Sequence, residues 1–323
     1  MRMAAGGAAR AHFGMILWAL IVGGSFPVLG LLGEGLPPLG LTALRFAIAA
    51  LAVLPLVRGG AGRPSMPTVL LYLALGLCLA VFFGTMFWAA HRVPALHLAA
   101  LYVAVPLLAY GLGRALGVER PSRGLVAILA LGAAGALALA VAGNGGRLAG
   151  FAFGIGEAAY FAGCVAIALY PVLSRWGLDR GWLSPDPAAR SFWSLATGAA
   201  LMAAAALATE PVQALARLAW TDLLVLAYLA LLSSAATFWL LQYATGSLGP
   251  AAVTAYSYLV APVSAALLLA GRPQDLGWHW LPGTALSLLA IALLLGRDLL
   301  LERDLRARPA PAPLPGGATR QQV

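Results

Sequence analysis

The sequence predicts an all-α integral membrane protein whose ten transmembrane helices form two inverted five-helix repeats. Three observations predict this fold: an apolar composition, ten apolar stretches of membrane-spanning length, and an internal duplication. Hydrophobic residues make up 62% of the chain and charged residues only 10%, whereas charged residues make up about a quarter of an ordinary soluble domain. Every basic residue is Arg and most lie between apolar stretches, so the formal charge of +9 indicates membrane topology and no nucleic-acid partner.

Each apolar stretch is close to the length of about 20 residues that a helix needs to cross a bilayer. The first is predicted to remain as a helix, because it lacks the small-residue cleavage site of a signal peptide. The predicted spans are residues 13–32, 39–57, 68–90, 95–117 and 124–143 in the first repeat, and 148–173, 191–209, 223–244, 249–271 and 278–296 in the second.

The chain is accordingly divided into four parts. Residues 1–10 form a cytoplasmic N-terminus, 11–143 the first repeat and 148–297 the second. Residues 298–323 are predicted to be a disordered cytoplasmic tail, because Pro, Gly and Arg replace the apolar pattern there. Within the second repeat, the Pro- and Asp-bearing stretch 174–190 is expected to be a surface loop.

The duplication is clearest where residues 94–106 (PALHLAALYVAVP) return as residues 250–262 (PAAVTAYSYLVAP). The identical pairs at an offset of 156 residues include Pro94/Pro250, Ala95/Ala251, Tyr102/Tyr258 and Pro106/Pro262. An odd number of spans in each copy makes the second copy enter the membrane from the opposite side. The two halves are therefore predicted to be inverted repeats.

The distribution of Arg predicts the orientation. With a cytoplasmic N-terminus, fifteen Arg residues fall inside, four fall outside and one lies within a span. Because cytoplasmic loops carry an excess of basic residues, this bias favours cytoplasmic positions for both termini. We expect a multi-pass protein of the plasma (cytoplasmic or inner) membrane.

Matched prolines predict breaks in matched helices. Proline has no N–H, so Pro106 and Pro262 leave the carbonyls four residues earlier without their helical donors. Membrane helices tolerate single prolines when neighbours or water satisfy the freed groups, but the recurrence in both halves favours a hinge. Pro27 and Pro171 form a second matched pair. Matched breaks in inverted repeats are typical of transporters that work by alternating access.

Aromatic residues at matched positions are candidates for a substrate cavity. Phe83 with Phe87, and Trp239 with Tyr243, lie four residues apart, so each pair shares one helix face. Packing or anchoring at the membrane interface is the competing explanation for such stripes. Tyr hydroxyls at mid-depth need partners that lipid cannot supply, so they should face inward. The aromatic candidates are Phe83, Phe87, Trp239, Tyr243, Tyr102, Tyr258, Trp18 and Tyr160.

Two charged residues lie within predicted spans. Glu157 is about ten residues into the sixth span, where burial would be costly. It is the candidate for proton coupling, or for the counter-charge to a cationic or zwitterionic substrate. Arg45 lies some seven residues into the second span, and its long side chain could reach the interface, which favours a structural role. An ion pair between the two is the alternative for Glu157.

Several short motifs resemble the EamA type of the drug/metabolite transporter superfamily. They are Trp18 with residues 24–26 (GSF), residues 44–46 (LRF), and residues 117–120 (GVER) followed by Gly124. The second copy departs from the pattern, because residues 271–273 (GRP) replace the acidic turn. The resemblance implies a proton- or gradient-linked exporter, with a central cavity between the first, third, fourth, sixth, eighth and ninth helices.

The sequence thus favours a secondary-active exporter of small organic metabolites, such as amino acids, amines or related amphipathic solutes. An intramembrane hydrolase or protease is the first alternative, and it needs a nucleophile with a base. Ser233 and Ser234 have no His or Lys at comparable depth. A structural or sensory membrane protein is the second alternative, but it leaves the duplicated prolines unexplained. We expect no enzymatic activity, cofactor or metal, and partners limited to the solute, protons and lipid.

Overall fold

The computed structural model describes residues 7–33, 35–58, 65–90, 92–145, 153–270 and 277–307. Within these ranges, ten helices are long and apolar enough to cross a membrane, which confirms the predicted all-α membrane fold with ten spans. They are α1 (Gly7–Leu29), α2 (Pro38–Leu56), α3 (Met66–Ala90), α4 (Ala95–Ala115), α5 (Arg123–Gly143), α6 (Ile155–Asp179), α7 (Pro187–Thr209), α8 (Trp220–Ser247), α9 (Pro250–Leu267) and α10 (Trp278–Asp304).

The predicted surface loop at residues 174–190 is wrong, because the connection between α6 and α7 spans only residues 180–186. The apolar stretch ends before Arg175, but the helix continues, and Arg175 forms an ion pair of 3.1 Å with Asp179 one turn later. At the other end, Asp186 accepts a hydrogen bond from the backbone N–H of Ala188 and caps α7. The hydropathy pattern indicates only where the membrane-spanning stretch ends, whereas the capping residues determine where the helix itself ends.

Arg190, the last residue of the predicted loop, is buried in the first turn of α7. Its guanidinium donates to the side-chain oxygen of Gln242 at 3.0 Å, to the Gln242 carbonyl at 2.6 Å and to the Ser184 carbonyl at 2.6 Å. Arg190 therefore joins α7 to α8.

The last helix also extends further than its apolar stretch. It continues without interruption to Ala307, so residues 298–307, assigned above to the tail, are helical. Arg297 contacts Asp298 at 2.8 Å where the apolar stretch ends. The remainder of the predicted tail, residues 308–323, lies outside the described residues.

Both helices of the strongest duplicated pair are interrupted just before their matched prolines. In α4, helical segments Ala95–Tyr102 and Val105–Ala115 are separated by two residues, and Pro106 lies in the first turn of the second segment. In α9, a 3₁₀ turn at Tyr256–Leu259 precedes the segment that contains Pro262. By contrast, α1 and α6 are continuous through Pro27 and Pro171.

The helices pack so that the two halves of the chain interlock. Helix α1 packs against α8 and α9, and α6 packs in the corresponding way against α3 and α4. Helices α2 and α7 pack on each other, as do α5 and α10. Exchanging each helix with its counterpart five positions along reproduces the same set of pairs, which fits the predicted inverted repeat.

Glycine allows α5 and α10 to approach closely. A Cβ atom added at Gly283 of α10 would lie 2.8 Å from the Gly135 carbonyl oxygen and 2.8 Å from the Leu139 backbone nitrogen, both in α5. The Tyr258 ring of α9 lies over Gly132, on the same stretch of α5. Small residues of this kind permit backbone contact between membrane helices.

Candidate functional site

A cavity of about 230 Å³ lies at the centre of the bundle, lined by α1, α2, α3, α4, α6, α8 and α9. Compared with the helices implied by the family resemblance, the structure adds α2. Most of the lining is apolar, with Val22, Met86, Ile167, Leu229 and Val260 among the residues that contribute to it. Concave, mostly apolar sites with few polar groups are typical of small-molecule binding.

Four of the predicted aromatic candidates line this cavity: Trp18, Phe83, Tyr102 and Tyr160. They are joined by Phe82, whose ring centroid lies 5.2 Å from that of Phe83, 5.9 Å from that of Tyr102 and 6.4 Å from that of Tyr160. These residues from α3, α4 and α6 form an aromatic wall. Pro171, predicted as a hinge, also lines the cavity.

The predicted site candidates did not include the lining residues Phe82 and Phe238. The signal was present, because they repeat at the same offset of 156 residues as the matched prolines. Their equivalent positions on α3 and α8 place one ring from each half in the cavity lining.

The other aromatic candidates lie outside the lining. Phe87 packs against Phe83, with ring centroids 6.4 Å apart. Trp239 and Tyr243 stack on each other at 5.7 Å with an interplanar angle of 14°, and both pack against the hydrophobic core.

Tyr258 is buried and connects the two interrupted helices. Its hydroxyl donates to the Val103 carbonyl at 3.3 Å, within the break of α4. A break frees backbone carbonyls that lipid cannot satisfy. The Tyr258 side chain, which lies at the break in α9, therefore provides a hydrogen-bond donor for a backbone carbonyl at the break in α4.

Arg45 lines the cavity and is held against α8. Its Nε donates to Ser234 Oγ at 2.6 Å, and its Nη2 donates to the Ser233 carbonyl at 2.9 Å and to Ser233 Oγ at 3.1 Å. The guanidinium carbon lies 5.8 Å from the centroid of the Phe83 ring, within the range of a cation–π contact. Arg45 therefore points into the bundle and not towards the interface.

The two serines lie in a π-helical turn of α8, Leu231–Ala236. Such turns disturb the regular hydrogen-bond ladder and are frequent at functional sites. The Ser233 carbonyl accepts from Arg45 and also from Thr237 Oγ1, the latter at 2.8 Å. The turn contains no proline, so only the adjacent serines in an apolar helix could have indicated it. Because a guanidinium stays protonated and cannot act as a base, this arrangement does not support a serine nucleophile.

Glu157 lies in the first turn of α6, because the helix begins at Ile155. Its Oε2 accepts from the Gly154 backbone N–H at 3.1 Å, and its Oε1 lies 3.0 Å from His97 Nδ1 at the start of α4. The predicted mid-span depth and the possible pairing with Arg45 are both wrong. The apolar residues before Ile155 resembled a continuing helix, whereas Gly154 is its N-cap. Glu157 lies outside the cavity lining.

Carboxylates from the connections cap helices of the opposite half. Glu210, which follows α7, accepts from the backbone N–H groups of Leu39 and Gly40 in α2, each at 2.9 Å. Glu119, which follows α4, accepts from the N–H of Ala251 in α9 at 3.0 Å. Burial raises the pKa of Glu119 above its ordinary value. These contacts satisfy the N–H groups that a helix N-terminus leaves free, and they suit its dipole.

Polar contacts join α1, α9 and α10 at one end of the bundle. His12 Nδ1 lies 2.7 Å from the Tyr256 hydroxyl, and His12 Nε2 lies 3.6 Å from Asp298 Oδ2. The cavity lining instead reaches Leu29, at the opposite end of α1. The cavity is thus directed towards the face that carries the α1–α2 connection.

Comparisons with known proteins agree with this architecture. A chain of known structure, titled "Crystal structure of protein", is similar with a TM-score of 0.72 and 23% identity, covering 94% of this chain and 100% of that one. At this identity the likeness shows the fold alone. No curated protein matches the sequence. A model of the EamA-like transporter family matches residues 9–141, which span α1 to α5. This match confirms the predicted resemblance to the EamA type of the drug/metabolite transporter superfamily over the first five helices.

Proposed function

We propose that this membrane transporter exports small amphipathic organic metabolites by alternating access, driven by a proton or solute gradient. The observation that carries the proposal is the central cavity of about 230 Å³, to which helices of both halves contribute. Its mostly apolar lining is typical of small-molecule sites, and its aromatic wall suits a solute with an apolar part.

The interrupted helices supply a route for the conformational change. Helices α4 and α9 both contribute to the cavity lining, and both are broken before a proline. Without the regular hydrogen bond at the break, each helix bends more easily there. Bending of α4 and α9 in opposite senses would close the cavity on one face and open it on the other.

The contacts around His12 fit one of the two states of alternating access, in which the cavity opens to one face of the membrane only. With the predicted cytoplasmic N-terminus, the Tyr256–His12–Asp298 contacts close the inner face. The structure then corresponds to an outward-directed state. Export requires the opposite state to load the solute, so these contacts must separate during the cycle.

Counterflow of a labelled solute in proteoliposomes tests the proposal. Val22 lines the cavity, so Val22→Trp should fill it and abolish counterflow for a panel of amphipathic acids, amides and amines. The matched control is Val126→Trp, since Val126 is 37% exposed on α5 and lies outside the lining. The control should retain flux. No flux of any solute through the wild-type protein, or equal flux through both variants, would contradict the proposal.

A further inference from the structure

We propose that the cavity selects solutes that carry a carboxylate, which Arg45 binds while the apolar part of the solute packs on the aromatic wall of α3, α4 and α6. This inference rests on the proposed transport function and narrows its substrate class to organic anions.

The charge of the cavity is the first argument. Among the lining residues that the structure describes, Arg45 is the one ionised side chain. In the described ranges of the chain, no Asp or Glu oxygen lies within 4.0 Å of its guanidinium. Glu157, the partner that the sequence suggested for Arg45, contacts His97 instead. The described lining of the cavity therefore carries a net positive charge.

The cost of that charge is the second argument. A cation removed from water and left without a counterion is unfavourable by several kcal/mol in a low-dielectric interior. The serine oxygens and the Phe83 ring compensate only in part, because they are dipoles and a quadrupole and carry no net charge. A bound carboxylate would supply the opposite charge, and hydrogen bonds between ionised partners are the strong ones.

The geometry of Arg45 is the third argument. Nε and Nη2 are engaged by Ser233 and Ser234, whereas Nη1 makes no hydrogen bond to any residue that the structure describes. The serines fix the plane of the guanidinium before a solute arrives, which reduces the entropy lost on binding. Nη1 is thus a positioned donor in a cavity with an aromatic wall. Tyr102 also lines the cavity.

The same features disfavour amines. A cationic solute would bring a second positive charge close to Arg45, with no carboxylate among the described lining residues to balance it. A neutral amide of the same shape keeps the apolar contacts but loses the charge complementarity. We therefore expect the order of affinity to be carboxylate, then amide, then amine.

The test compares three solutes with one carbon frame: 3-phenylpropionate, 3-phenylpropionamide and 3-phenylpropylamine. Affinity is measured on the purified full chain by the shift of its melting temperature with solute concentration, since a ligand that binds the folded state stabilises it. In the wild-type protein, the carboxylate should bind at least about tenfold more tightly than the amide. Equal affinity for carboxylate and amide, or tightest binding of the amine, would overturn the inference.

Variants assign the selectivity to Arg45. Arg45→Gln should weaken carboxylate binding by about tenfold to a hundredfold and leave amide binding unchanged. Arg45→Lys should recover part of the preference for carboxylate over amide, because it restores the positive charge but not the planar set of guanidinium donors. The control Arg217→Gln removes an exposed charge in the α7–α8 connection and should leave all three affinities unaltered. Equal loss of carboxylate and amide binding in Arg45→Gln would mean that Arg45 only holds α8 in place, and would refute the assignment.

The outcomes separate this inference from the proposed function. If Arg45→Gln does not fold, the wild-type panel and Arg45→Lys still decide the selectivity. Carboxylate-selective binding without counterflow would refute transport and retain the binding site. Counterflow that favours the amine, or does not distinguish the three solutes, would retain transport and refute the inference.

Discussion

The close contact between α5 and α10 predicts a large effect from one added methyl group. In Gly135→Ala, the new Cβ atom would lie 2.6 Å from the backbone nitrogen of Ser287 and 2.9 Å from the carbonyl oxygen of Gly283. Both belong to the backbone of α10, so no side-chain rotation can relieve the clash. The two helices must therefore move apart.

Forcing extra volume into a packed interface costs about 1–3 kcal/mol, and the better helix propensity of Ala returns at most about 1 kcal/mol. We expect Gly135→Ala to lower the free energy of unfolding by about 1–2 kcal/mol. Gly124 on α5 and Gly296 on α10 are matched controls, because a Cβ atom at either position meets no atom within 4 Å. Alanine there should be neutral or slightly stabilising.

The measurement is reversible unfolding of the purified protein in mixed micelles, with increasing amounts of denaturing detergent. The unfolding midpoint of Gly135→Ala should lie clearly below that of the wild-type protein and of both controls. Binding of solute to the folded variant should persist, because α5 and α10 lie outside the cavity lining. If Gly135→Ala unfolds at the same midpoint as Gly124→Ala, the close helix approach is refuted.

Three further predictions follow from the breaks and the caps. Pro106→Ala and Pro262→Ala should each insert normally but slow counterflow, because a restored backbone hydrogen bond stiffens the helix; wild-type flux in the double variant would refute the hinges. Glu157→Gln should melt earlier while the pH dependence of transport stays unchanged, since the carboxylate serves as a cap and a partner of His97; normal stability with a lost pH dependence would instead assign Glu157 to coupling. For Glu119, burial raises the pKa in the folded state, so folding favours the protonated form. The wild-type protein should lose stability as the pH rises from the usual carboxyl pKa through the raised one, and Glu119→Gln should remove this loss.

The Glu119 prediction is checked by the unfolding midpoint of both proteins across that pH range. A difference between wild type and Glu119→Gln that does not change with pH would contradict the raised pKa. A wild-type protein that gains stability relative to the variant as the pH rises would show the opposite sign, and would mean that the hydrogen bond from Ala251 outweighs burial.

The sequence predicted the features that depend on local chemistry. The ten apolar stretches of bilayer length correspond to ten helices in the described part of the chain. The prolines at 106 and 262 marked two interruptions. Both signals are local, because hydropathy and a missing N–H act within one helix. The start of α6 was misplaced, because hydropathy does not distinguish an apolar lead-in from a helix that begins after the N-cap Gly154.

The candidate site was predicted less completely, because it depends on distances between remote parts of the chain. Arg45 contacts Ser234, 189 residues away, and no local pattern specifies that pair. The π-helical turn of α8 contains no proline, so the sequence carries no helix-breaking residue that would predict it. Aromatic residues were identified as a class, but a stripe along a helix does not say which face meets the cavity: Phe83 lines it and Trp239 does not.

The interlocking of the two halves has a consequence for how the protein can be divided. Helix α1 packs on α8 and α9, and α6 packs on α3 and α4, so the first helix of each half finds its neighbours in the other half. A chain cut between α5 and α6 would yield two fragments. In each fragment the first helix would lack its packing partners, which lie in the other fragment. The fragments should therefore assemble with each other when made together, and neither should form a cavity when made alone. The groups of helices that pack together therefore differ from the two halves that are continuous in sequence.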